Sequence, residues 1–243
     1  MRPRVLAGFL LCLAPAAAQQ QGPSAVSADG RWRIETSPGL VSIVDRRSGE
    51  LVRTLSARSS DGRIASDVAA VRAAPSRRSF IVSFDRLPEL WEISFDPDAE
   101  PIFDGLVHDY RLREGLARPG FLNPRRTRLP SPLREFGLSA DQFYGAGCES
   151  GDAQGRAVLA LVQLDVRRRI ASFAVVGDPM PAAARVASCQ GRERLLVPDR
   201  VGGDTLAIDL RSAALSALEC PPEERPAVGP TPAGPGPTTA GPR

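Results

Sequence analysis

His108 is the single histidine of this 243-residue chain, and it sits in DGLVHDYR, shortly before PGFLNPRR. A neutral imidazole is a metal ligand and a proton carrier. Two readings stand side by side: a metal ligand, or a loop histidine hydrogen-bonded to Asp104, Asp109 or a backbone carbonyl. Arg125, Arg126 and Arg128 form the densest basic cluster of the same region. Guanidinium groups make bidentate, charge-assisted contacts to carboxylates. The cluster therefore suits a carboxylated ligand, or else pairs with Glu89, Glu92, Glu100 or Asp104. Tyr110 and Phe121 either line a cleft for a planar ligand or anchor the segment. No G-x-S-x-G, P-loop, H-E-x-x-H or dinucleotide fingerprint occurs, and one histidine supports neither a Ser-His-Asp triad nor a metal hydrolase.

The elements that must position these residues read as β-strands. One unit recurs four times, over Ser27–Leu55, Ala73–Asp96, Leu138–Val175 and Ser188–Leu218. Each unit has a polar turn, a short apolar strand, a second strand ending near an aspartate, and a further strand. Asp45, Asp96, Asp165 and Asp209 hold similar places in the units, which suits turn capping rather than catalysis. Short strands bounded by Gly, Asp, Ser and Pro, repeating at about 45 to 50 residues, are the pattern of a β-propeller blade. The fold expected is all-β, a propeller with about four recognisable blades over residues 25–219. A long insert over 97–132 is expected between the second and third blades. A four-bladed ring or half of a larger ring both satisfy the count, and an open half would need a partner or a second copy.

The N-terminus has the form of a secretory signal: Arg2 and Arg4, an apolar run from Val5 to Ala14, then Ala16-Ala17-Ala18. Cleavage after Ala18 and a periplasmic or secreted product are expected, with no membrane span, because the apolar run is too short. Residues 220–243, rich in Pro and Gly, read as a disordered tail. Three cysteines remain after export, and Cys148 and Cys189, in comparable repeat positions, are the expected disulfide pair. No C-x-x-C is present, so neither a c-type haem site nor a zinc knuckle is encoded. All basic residues are arginine, which fits a GC-rich coding bias better than selection for anionic partners, and a net charge of +3 does not argue for nucleic acid.

The stretch SFIVSFDRLPELWEISFDPDAEPIFDGLVHDYR, followed by PGFLNPRRTRL, resembles the haem d1 domain family. LDVRRRIASF followed by GDPMP resembles it too. That family includes the C-terminal propeller of cytochrome cd1 nitrite reductase and NirF-like proteins of d1 haem biosynthesis, with YVTN/WD40-like repeats. The resemblance runs over Ser66–Leu210 and is strongest from Ser79 to Leu129. It implies an eight-bladed propeller, of which this chain would supply about half, holding a d1 haem or related tetrapyrrole in its central channel. It makes His108 the candidate iron ligand, with Arg125, Arg126, Arg128 and Tyr110 as cofactor-binding candidates. It implies three kinds of partner: a second propeller half, a homodimer mate or a c-type cytochrome. The family pattern has a histidine and glycines after a Met-Pro pair, where this chain has Ala182-Ala183-Ala184. The function expected is tetrapyrrole binding, d1 haem maturation or nitrite-reductase-linked redox chemistry. The alternative is a non-catalytic propeller scaffold that has lost the haem site.

Overall fold

The computed structural model describes residues 22–103, 117–149, 156–189, 192–200 and 205–217. These form four sheets, each of four antiparallel strands in simple chain order. The first sheet holds β1 (Ala25–Val26), β2 (Trp32–Ser37), β3 (Leu40–Asp45) and β4 (Glu50–Ser56). The second holds β5 (Val68–Ala74), β6 (Ser79–Phe84), β7 (Glu89–Ser94) and β8 (Pro124–Arg128). The third holds β9 (Glu135–Leu138), β10 (Tyr144–Glu149), β11 (Ala157–Gln163) and β12 (Arg168–Val175). The fourth holds β13 (Arg185–Cys189), β14 (Arg192–Pro198), β15 (Thr205–Asp209) and β16 (Ala214–Ala217). The only helical pieces among the described residues are 3₁₀ turns at Pro75–Arg77 and Pro181–Ala183.

The strand sequences explain their layers. WRIETS of β2 alternates buried and exposed positions, whereas SFIVSF of β6 is buried along its whole length. The fourth strand β4 is almost wholly exposed, so it lies outermost. The first strands lie innermost: β5 packs beside β1 on one side and β9 on the other.

One turn chemistry opens the strands. Ser27 Oγ and Asp29 Oδ1 accept from the backbone of Trp32 and Arg31, and Ser59 with Asp61 and Ser139 with Asp141 repeat the arrangement. The next residue in each case is left-handed: Gly30 at φ +69°, Gly62 at +72° and Gln142 at +61°. The turn admits glycine freely, and a side chain there costs about 1 kcal/mol.

Three hydrophobic clusters lie between successive sheets. Trp32, Ile34, Phe80 and Trp91 join the first and second. Ile81, Leu90, Phe136 and Val162 join the second and third. Leu159, Leu161, Leu195 and Ile208 join the third and fourth. Among the described residues no such cluster joins the fourth sheet to the first. The described clusters join the four blades in chain order, first to second, second to third and third to fourth.

The expected insert is corrected in its placement. Residues 95–123 connect β7 to β8 inside the second blade, and Pro124–Arg128 is that blade's outer strand. The two strands carry complementary charge, with Arg128 opposite Glu89, Arg125 opposite Glu92 and an Arg126–Glu89 ion pair between them.

Candidate functional site

Because the four sheets share one strand order, equivalent turns gather at the same end of the blades. Asp45, Asp96 and Asp209 each accept a backbone N–H two residues on, as turn caps do. The Arg47 N–H on Asp45 and, above all, the Ser212 N–H on Asp209 hold these carboxyls below the usual carboxylate range. Asp165 departs from this pattern and accepts from Arg77 of the neighbouring blade at 2.6 Å. A groove of about 1070 Å³ opens at this end between the third and fourth sheets, lined by Asp141, Phe143, Asp165, Glu193, Asp209 and Arg211. Its carboxylates at 141, 165 and 209 are already engaged by backbone turns and by Arg77, which makes it a cleft between turns.

The connection from β7 to β8 emerges at the same end. Ile102 and Arg118 exchange backbone hydrogen bonds of 2.8 and 2.9 Å and close its neck. His108 and Tyr110 lie outside the described residues, as does Asp104. Phe121 is placed: its ring meets Trp32 edge-on at 5.6 Å, so it anchors the segment to the first interblade core.

The arginine cluster is split by its strand. Arg126 Nη1 donates to Glu89 Oε2 at 3.0 Å and to the Arg58 carbonyl at 2.8 Å. Its guanidinium lies 4.4 Å from the Trp91 ring centre, and Trp91 Nε1 donates to the same Glu89 oxygen. Arg126 is therefore a half-buried blade-packing residue, paired with Glu89, one of the four acids the charge pattern offered. Arg125 lines a cleft of about 200 Å³ at the base of the connection, with Glu92, Asp96 and Glu100 nearby. Arg128 is exposed on the outer strand. All three stand at the periphery, away from the inner strands.

Cys148 carries a free thiol whose Sγ lies 3.6 Å from the Pro179 carbonyl. Burial, with Glu135 and Asp178 nearby, pushes its pKa up to about 12. The side chain of Cys189 lies outside what is described, so its expected pairing with Cys148 carries forward to experiment.

The inner strands carry residues that sequence reading passed over. Of the first strands, β5 contributes Arg72, β13 contributes Arg185, and Arg134 immediately precedes β9; Glu135 is their one acid. Arg72 lies with its guanidinium 5.7 Å from the Phe136 ring centre on β9. The Met180 to Ala184 segment, where the family pattern has a histidine and glycines, packs its 3₁₀ turn against β9, β10 and β14. Contact is so close that a β-carbon at Gly137 would fall 1.8 Å from the Pro181 oxygen. Pro181 is the buried residue of this blade-to-blade turn, and Ala182 and Ala183 are exposed on it.

Residues 18–103 match the Cytochrome D1 heme domain. Dihydro-heme d1 dehydrogenase of Pseudomonas aeruginosa is 30% identical over 190 residues, which cover 77% of this chain and 33% of that protein. The chain is homologous to that dehydrogenase. The solved structure of dihydro-heme d1 dehydrogenase NirN in complex with DHE superposes with a TM-score of 0.61 at 29% identity, over 81% of this chain and 36% of that one. The structure of U3-55K, at 13% identity and a TM-score of 0.50 over 82% of this chain and 53% of that one, shares the fold alone. The chain spans about a third of the dehydrogenase it matches. The d1-domain match takes in the first sheet, which the resemblance read from sequence left out. It ends at residue 103, before His108 and the arginines of β8.

Proposed function

We propose that this chain is an exported half-propeller of the haem d1 type that binds a carboxylate-bearing tetrapyrrole and serves its maturation or the redox chemistry linked to it. The observation that carries the reading is the homology to dihydro-heme d1 dehydrogenase over 77% of the chain, with four blades whose described cores join them in chain order. The donor set of the innermost strands fits the ligand class. Arg72 and Arg185 on the first strands, and Arg134 just before β9, outnumber Glu135, and this positive balance suits the peripheral carboxylates of a d1-type macrocycle. A bound d1 haem would supply the iron and the conjugated ring for electron transfer. The chain's own residues would hold its carboxylates and cover its faces. His108 is the candidate iron ligand, since it is the chain's only imidazole.

A half-propeller also needs a neighbour for each flanking sheet. A second propeller half, supplied by another copy or by a partner chain, would meet that need, with a c-type cytochrome as the electron donor because no C-x-x-C is encoded here. Arg2 and Arg4, the apolar run from Val5 to Ala14 and Ala16-Ala17-Ala18 support removal of a signal segment after Ala18 and a periplasmic location. Mass analysis of protein recovered from the periplasm of a d1-haem-producing host tests both points. A mature N-terminus at Gln19 and a bound tetrapyrrole mass are expected. An intact Met1 and a protein free of tetrapyrrole would contradict them. If His108 ligates the iron, His108→Ala shifts the visible spectrum of the loaded protein, and an unchanged spectrum removes it from the iron.

A further inference from the structure

In the cleft of about 200 Å³ at the base of the β7–β8 connection, most polar groups are already engaged. Arg77 grips both oxygens of Glu92 at 2.8 and 3.1 Å and donates to Asp165 at 2.6 Å. Arg78 donates to Asp96 Oδ2 at 2.8 Å, and the Asp98 N–H donates to the other Asp96 oxygen at 3.0 Å. Asn123 is satisfied as well: its Nδ2 donates to the Pro119 and Phe121 carbonyls, and its Oδ1 accepts from Arg53. Two charges of the lining are left over. Arg125 stands opposite Glu92 on the ladder, but Arg77 holds both Glu92 oxygens, and Arg125 forms no ion pair among the described residues. Glu100 lines the same cleft, and its carboxylate has no partner among the described residues.

The backbone sets both residues in place. Gly120 lies so close to Ala99 and Glu100 that a β-carbon there would fall 2.2 Å from the Glu100 carbonyl oxygen and 2.7 Å from that of Ala99. The outgoing and returning arms of the connection are thus pressed together beside the cleft, and the paired backbone bonds of Ile102 and Arg118 tie them. Arg125 is held by its ladder with β7. Ile102, buried, and Ala99 supply the apolar part of the wall. The cleft is smaller than the roughly 300–1,000 Å³ of drug-sized ligand sites, so its occupant is small.

We infer that this cleft binds a small zwitterion, an α-amino acid with a short side chain, between Arg125 and Glu100. The guanidinium takes the carboxylate in a charge-assisted contact, and the Glu100 carboxylate accepts from the ammonium. A lone anion or a lone cation would leave one of the two charges without a partner, whereas a zwitterion answers both. Ile102 and Ala99 adjoin the short side chain. The site does not depend on the tetrapyrrole reading.

The probe is L-alanine, and the readout is saturation-transfer NMR of its methyl group in the presence of the full chain at constant ionic strength. Saturable transfer is expected in the wild type. Arg125→Gln and Glu100→Gln are each expected to weaken binding at least about tenfold, and Arg125→Lys to keep part of it. Acetate and methylamine, with one charge each, are expected to bind at least about tenfold more weakly than L-alanine. Glu100 is exposed, so Glu100→Gln is expected to keep the Tm of the wild type and to report on binding alone. No saturable transfer in the wild type up to a large molar excess overturns the site. So does an unchanged affinity in Glu100→Gln or in a folded Arg125→Gln, or acetate binding as tightly as L-alanine.

Discussion

Arg77 Nη1 donates to Asp165 Oδ1 across the border between the second and third blades at 2.6 Å, while its Nε and Nη2 grip both oxygens of Glu92 at 2.8 and 3.1 Å. One turn thus ties two sheets. The Glu92 side chain is 17% exposed and that of Asp165 is 46% exposed, so the two halves of the tie differ in worth.

Removing Arg77 leaves Glu92 withdrawn from water with Ser79 as its remaining side-chain donor. Arg77→Ala is expected to cost about 2–4 kcal/mol in urea unfolding. Asp165→Asn, at the exposed end, is expected to cost about 1 kcal/mol or less. Equal losses in the two variants would contradict this division.

Gln142 Oε1 accepts from the backbone N–H of Ser76 at 2.8 Å, a second tie between the same blades. The residue occupies a left-handed position that is glycine in two of the three equivalent turns. Gln142→Ala keeps the backbone strain and loses the bond, whereas Gln142→Gly loses both. The alanine variant is therefore expected to be less stable than the glycine variant by about 1 kcal/mol. Chemical denaturation of the pair checks the order.

The blade turns predict an acid limit. Side-chain or backbone hydrogen bonds hold Asp29, Asp45, Asp61 and Asp209 below their ordinary pKa. A carboxyl with a depressed folded-state pKa contributes stability above its unfolded value, near 4. That contribution disappears as pH falls from about 4 through the lower folded values. The Tm is expected to fall through this window, and Asp45→Asn to flatten part of the fall. A pH profile of Asp45→Asn superimposable on wild type would remove Asp45 from this account.

Cys148 is the redox counterpart. With its pKa raised to about 12, its thiol stays protonated at neutral pH. Iodoacetamide at pH 8 is expected to label Cys148 only after unfolding. Non-reducing peptide mapping separates this from the pairing expected from sequence. A linked Cys148–Cys189 peptide from exported protein would establish that bond and displace the free thiol.

Alternation in WRIETS and the apolar runs in SFIVSF and AVLALVQ made the middle strands of each blade legible without coordinates. Asp45, Asp96 and Asp209 were legible as turn caps for the same local reason, whereas Asp165, read the same way, is taken by Arg77 of the neighbouring blade. Pro124–Arg128 was not, because PRRTR has no apolar period. Its strand character lies in the charges opposite it, and those appear only once the register with Glu89 and Glu92 is known. Sequence density drew attention to Arg125, Arg126 and Arg128, but density cannot tell an outer strand from a channel. Arg72 escaped notice in VAAVRAA for the converse reason. A single arginine in an alanine-rich strand forms no motif, and its contacts with the Val71 carbonyl and the Phe136 ring are properties of the folded neighbourhood. The signal available was an isolated charge in an otherwise buried first strand.

The central claim is that these four blades bind a d1-type tetrapyrrole, and an absorption titration of the purified full chain with haem d1 tests it most directly. Saturable shifts of the haem bands are predicted, at a stoichiometry fixed by the number of chains per closed ring. Spectra that simply add protein and free haem d1 up to a large excess would contradict the claim.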